Sequence, residues 1–137
     1  MGRIMGIDYG LKRTGIAVTD PLQIIVQGLD TRKTEDLLSF LTEYCKNEKV
    51  DQIVVGYPFY DGKWGEPKFQ RAIESFIQEL KKKFPGIDIQ THDERYSSMR
   101  AREIIHQRGM SKKKSQDKEL LDKTSAIIIL QEYLGHI

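Results

Sequence analysis

Three carboxylates stand where they could do together what none could do alone. Asp8 ends an apolar run, residues 3–8, with Gly6 and Gly10 close on either side. Glu94 stands at the exit of an alternating segment, residues 87–94, within the run His92-Asp93-Glu94-Arg95. Asp122 falls on a stripe with Ser125, Ala126, Ile129 and Tyr133 at helical spacing. The three lie 86 and then 28 residues apart, so only a fold can bring them together. If they converge, they form an all-oxygen site suited to a hard cation, Mg²⁺ or Mn²⁺. Two such ions, about 3.5 to 4 Å apart, would orient a water and stabilise an in-line phosphoryl displacement. No Ser or Cys nucleophile is needed. Lys12, Arg13, Arg95 and Arg100 are the candidates to hold the phosphates of a nucleic-acid backbone.

Each segment also has a plainer reading. Asp8 is equally compatible with a solvated strand end beside a hairpin, its glycines serving the turn. Asp93 can cap or pair with Arg95 at a polar strand exit, and Arg95 can pair with a site acid. An acid on the largely apolar stripe of Asp122 needs a partner, and a lysine or arginine would serve as well as a metal. His92 and His106 are candidates for general acids and equally for surface histidines. Gly10 to Gly15 has the glycine spacing of a Walker loop, but Ile16 and Ala17 occupy the places of its Lys and Ser or Thr, so P-loop chemistry is excluded.

The elements that must position these residues follow from apolar periodicity. Residues 3–8 and 15–19 read as strands joined by a tight glycine-containing connection, residues 10–14. Residues 24–29 add a third antiparallel strand after Asp20-Pro21. Leu37, Leu38, Leu41, Tyr44 and Cys45 mark a helix, with Thr34 placed to cap it and Glu35 and Asp36 in its first turn. Ile53-Val54-Val55 is the unbroken apolar run of a strand covered on both faces. Pro67 opens a helix bearing Phe69, Ala72, Ile73, Phe76, Ile77 and Leu80, which Pro85 and Gly86 end. The strand over residues 87–94 follows. A short helix is expected near residues 97–109, then a lysine-rich loop, then a helix over residues 118–134 stopped by Gly135. Three antiparallel strands followed by helix-linked ones imply an α/β fold with a mixed sheet covered on both faces.

Composition bounds the rest. The chain has 137 residues, 39% hydrophobic and 31% charged, the profile of one globular domain with no linker or internal repeat. No apolar run is long enough for a membrane helix and no signal-peptide pattern opens the chain, so no membrane partner and a cytoplasmic location are expected. Cys45 is the single cysteine, which excludes an internal disulfide framework and a cysteine zinc cluster. The net charge of +2 is uninformative, but its distribution is not. Residues 95–118 hold eight Lys or Arg against Glu103 and Asp117, a local +6 on a body of −4. That is the charge pattern of a phosphate-backbone footprint, and equally that of a solvated helix face beside a basic loop.

Four segments in this order and separation, GIDYGLKRTGIAV (6–18), IVVGYP (53–58), HDERYSS (92–98) and DKTSAIIILQEYL (122–134), resemble the YqgF/RuvX family of Holliday junction resolvases within the ribonuclease H-like superfamily. The resemblance covers nearly the whole chain. It implies a ribonuclease H-like fold with a mixed five-stranded sheet, three strands antiparallel and then two parallel, in one domain over residues 1–137. It also implies a divalent-metal-dependent endonuclease, with motif acids at Asp8, Glu94 and Asp122, acting on structured nucleic acid. The substrates it implies are pre-16S ribosomal RNA, trimmed at its 5′ end and met in ribosomal precursor particles, or branched DNA. The acids are one fewer than the four often seen in the superfamily. The segment Phe59-Tyr60-Asp61-Gly62 departs from many relatives, and Tyr60 and Trp64 nearby could stack on a base or fold against the body. Monomer and homodimer are both compatible with the sequence. The rival classes are a domain that holds nucleic acid without cutting it, and an ATP-binding lobe of the actin and sugar-kinase kind, which closes two lobes on its nucleotide where this chain supplies one.

Overall fold

The apolar runs pair as one sheet. In the computed structural model, which describes residues 2–57, 67–93 and 118–136, β1 (Arg3–Asp8) lies between β2 (Arg13–Thr19), antiparallel to it, and β4 (Val50–Tyr57), parallel to it. Outside them β3 (Val26–Lys33) pairs antiparallel with β2, and β5 (Asp88–Asp93) pairs parallel with β4. The order is β3-β2-β1-β4-β5, the mixed five-stranded sheet expected from the sequence. Glu94, Arg95 and Arg100, the loop with Tyr60 and Trp64, and the expected helix near residues 97–109 lie outside the described residues.

Helices cover both faces. A 3-10 turn (Thr34–Asp36) leads into α1 (Leu37–Asn47), and α1 and α2 (Pro67–Lys83) lie on one side. There Leu37, Leu41, Ile73, Phe76, Ile77 and Leu80 join Met5, Ile7, Ile16, Val18, Ile53 and Val55 in the larger core. The last helix, α3 (Lys118–Tyr133), covers the other face, where Ala126, Ile129 and Leu130 meet Ile4, Ala17 and Val54. Strand alternation alone divides β1 between the cores: odd residues face α1 and α2, even ones face α3. Gly135, at φ 76°, ends α3 with the amides of Gly135 and His136 on the carbonyls of Glu132 and Gln131, at 3.1 and 2.9 Å. No described helix is long and apolar enough to cross a membrane. Cys45 is half-buried, and burial pushes its thiol pKa up, away from reactivity.

The β2–β3 connection differs from expectation. Residues 24 and 25 are not strand: the Asp20 carboxylate accepts their amides at 2.7 and 2.8 Å, Gln23 takes φ 62°, and pairing begins only at Val26. The side chains of Leu22, Ile24 and Ile25 are left exposed on this turn. The amide of Ile25 foremost holds the Asp20 pKa below the usual carboxylate range. The sign follows: the turn's stabilisation is complete above the ordinary carboxylate pKa and is lost as pH falls through the lowered one. An NMR titration is expected to show the Ile24 and Ile25 amides shifting together with a midpoint below that of a free aspartate.

Candidate functional site

Strands β1, β3, β4 and β5 all run in one direction, so their carboxyl ends share one edge of the sheet, where ligands of open α/β folds gather. Asp8 is the last residue of β1 and is half-buried. Its even position puts it on the face covered by α3. That helix lies directly on the strand, because a Cβ placed on Gly6 would stand 3.0 Å from Leu130 Cβ and 3.2 Å from the Ala126 carbonyl oxygen. The room that the missing side chain of Gly6 leaves is taken by α3. Gly28 serves the same purpose on β3, where Lys123 Cγ would be 2.7 Å from an added Cβ. Gly6, Ala17 and Gly28 are paired in one row across three strands, a flat bed for the helix.

Asp122 stands on α3 one turn before Ala126, whose carbonyl lies against Gly6 of β1, two residues from Asp8 along the strand. Ser125 and Ala126 of its stripe are buried, as the sequence suggests, and the Ser125 hydroxyl has no hydrogen-bond partner among the described residues. On β5 the expected alternation holds. His92 turns toward α3, its Nε2 3.8 Å from Glu132 Oε1 and its ring edge-on to Tyr133 at 6.2 Å, while Asp93 is exposed. Ile7 pairs with Val55 and His92 with Gly56, so Asp8 and His92 flank β4 at a glycine, two strand spacings or about 9.5 Å apart. Among the described residues no three His, Cys, Asp or Glu gather into a metal-binding group. Of the three expected ligands, Asp8 alone has a described side chain. The expected donor set is carboxylate oxygen throughout, which fits a hard divalent cation and not zinc.

Lys12 sits on the connection beyond Asp8 and Arg13 opens β2, and hydrogen bonds and ring packing hold this connection in place. Tyr9 stacks on Phe76 at 4.8 Å, and burial, with the Glu79 charge, raises its hydroxyl pKa so that it stays neutral. Thr34 does not cap α1: its hydroxyl donates to the Gly10 carbonyl at 2.6 Å and lies 2.9 Å from the Thr14 hydroxyl, and its amide donates to the Lys12 carbonyl at 3.0 Å. The helix instead enters through the 3-10 turn without a side-chain cap. Gly10 is required because a Cβ there would collide with the Arg13 carbonyl oxygen. Gly10→Ala is therefore expected to cost about 1–3 kcal/mol in chemical unfolding, the range for a strained backbone site, and to lose the Thr34 contacts.

The profile of the RuvX Holliday junction resolvase family matches residues 2–136. The chain belongs to this family. Relatives that it resembles include one from Amoebophilus asiaticus (strain 5a2), 51% identical over 135 residues, which are 98% of this chain and 95% of the relative. Another, from Porphyromonas gingivalis (strain W83), is 47% identical over 136 residues, 99% of this chain and 98% of the relative. Both are named "Putative pre-16S rRNA nuclease". Among solved structures, the Fowlpox virus resolvase with its substrate Holliday junction DNA matches at TM-score 0.60 and 14% identity, covering 98% of this chain and 97% of that one. T. thermophilus RuvC in complex with a Holliday junction substrate matches at TM-score 0.57 and 14% identity over the same shares. At that identity the likeness concerns the fold, which is the ribonuclease H-like sheet of these resolvases.

Proposed function

We propose that the chain is a single nuclease domain, a divalent-metal-dependent endonuclease of structured nucleic acid whose task is 5′-end maturation of pre-16S ribosomal RNA in the cytoplasm. The observation that carries this reading is the end-to-end similarity, at 51% and 47% identity, to relatives bearing that nuclease name. The position of Asp8 supports it, at a strand end under the helix that carries Asp122. In this reading Asp8, Glu94 and Asp122 hold two Mg²⁺ or Mn²⁺ ions, and Lys12, Arg13, Arg95 and Arg100 contact phosphates. When bound, the ions neutralise the charge that builds on a phosphate during in-line displacement. The chain's own contribution is placement. The Thr34-pinned connection fixes the backbone that bears Lys12 and Arg13, and the glycine bed fixes the distance of α3 from β1.

A second reading, resolution of branched DNA, is favoured by the family's description and by neighbours solved with Holliday junctions. One cleavage panel separates them: a pre-16S 5′ precursor, single-stranded RNA, duplex DNA and a four-way junction, each with Mn²⁺, Mg²⁺ or EDTA. Metal-dependent cleavage of the precursor in preference to the junction is expected. Preference for the junction would install the second reading, and tight binding with no cleavage of any substrate would make the chain a non-cleaving binding module.

A further inference from the structure

Beside the Asp8 end of the sheet lies a second feature, a cleft of about 630 Å³ lined by Leu11, Lys12, Arg13, Arg32, Lys33 and Glu35. Pairing explains how it forms. Asp8 opposes Gly15 in the hairpin, and just beyond that pair Thr14 opposes Arg32 and Arg13 opposes Lys33, so the last turn of β3 and the β1–β2 connection become facing walls. Thr34 ties the walls together through Gly10, Lys12 and Thr14. Arg32, itself exposed, rests its guanidinium carbon 4.3 Å from the centroid of the Phe40 ring. Among the described residues the cleft thus presents four cationic side chains against one carboxylate, and none of its described lining residues is aromatic.

We infer that this cleft is a sequence-blind clamp for the sugar-phosphate backbone of the nucleic-acid substrate, with Arg32 and Lys33 holding phosphates at the β3 edge of the sheet end. The inference rests on the nuclease reading above and extends it to residues that reading does not use. Guanidinium and ammonium groups hold phosphate oxygens whatever the base, and a lining without aromatic rings offers no platform for base stacking. A stacked guanidinium keeps its N–H edge directed while its face is covered, which suits Arg32 to a fixed phosphate. Glu35 works in the opposite sense, lowering the attraction of the cleft for anions.

The test is equilibrium binding by fluorescence anisotropy in EDTA, where cleavage does not interfere. Labelled single-stranded RNA and a four-way DNA junction, each in two unrelated sequences, are titrated with full-length protein across about 50–200 mM salt. Arg32→Gln with Lys33→Gln is expected to weaken binding about tenfold or more and to flatten the log–log salt slope by about 1.5, the release of two phosphate contacts. The loss should be equal for both sequences. Because Arg32 packs on Phe40, Lys33→Gln alone and Glu35→Gln are measured too, the first weakening and the second tightening binding with no demand on packing. Unchanged affinity and slope in the charge variants would overturn the clamp while leaving the nuclease reading intact, and a sequence-dependent loss would overturn its blindness to base. A wild-type protein that binds neither probe overturns both. Binding that follows the charge variants in a protein that cleaves nothing overturns only the nuclease reading.

Discussion

Asp8→Asn is expected to lower metal-dependent cleavage of the preferred substrate by at least about a thousandfold, roughly 4 kcal/mol of barrier. The substitution keeps the shape of the side chain and removes the anionic oxygen that a hard cation requires, at the strand end where β1 meets the face covered by α3. Binding in EDTA is expected to hold or to tighten slightly, since the charge removed would repel a phosphate. The two measurements together are diagnostic. A packing defect would lower both, whereas loss of a metal ligand lowers cleavage alone. Cleavage retained within threefold of wild type would remove Asp8 from the site.

Gly6→Val carries the second large effect, on stability and activity at once. The new side chain would enter space held by Leu130 and by the Ala126 carbonyl, and the latter belongs to a helix backbone that cannot swing aside as a flexible side chain can. Overpacking of this kind costs about 1–3 kcal/mol, which for a domain of this size lowers Tm by roughly 5–10 °C. The helix must lift from β1, and Asp122 lifts with it. Cleavage at a temperature where the variant is folded is therefore expected to fall more than tenfold and to recover in part as the metal concentration is raised. Gly86→Ala is the comparison, because nothing lies within 4 Å of a Cβ there, and it should match wild type in both assays. If Gly6→Val unfolds at the wild-type temperature, the close seat of α3 on β1 is wrong.

How much of this was legible beforehand depended on whether its cause was local. The run Ile53-Val54-Val55 declared a strand buried on both faces, and the apolar spacing from Ile73 to Leu80 declared the face that α2 turns inward, because burial period is written into neighbouring residues. Thr34 read as a helix cap because residues within a turn of it said so. Its hydroxyl goes instead to Gly10, 24 positions away, a partner that only the folded hairpin supplies. The end of β3 failed for a related reason. Without the pairing of Arg13 with Lys33, Thr31 to Lys33 looked like a connecting segment, and the cationic wall they form went unseen. The hint was present in Thr31 and in the lack of a turn residue before Thr34, but propensity of that size decides little alone. The place of Asp8 at a strand end was legible because its cause is local, an acid closing the apolar run of residues 3–8.

The seat of α3 also orders events in time. Asp8 and Ala126 are 118 residues apart in the chain yet belong to adjoining elements of one face. Closing so long a loop is slow compared with forming the β1–β2 hairpin, whose strands are neighbours in sequence. A folding chain can therefore assemble its sheet and its α1–α2 side early, while the face of β1 that bears Gly6 and Asp8 stays open until α3 has docked.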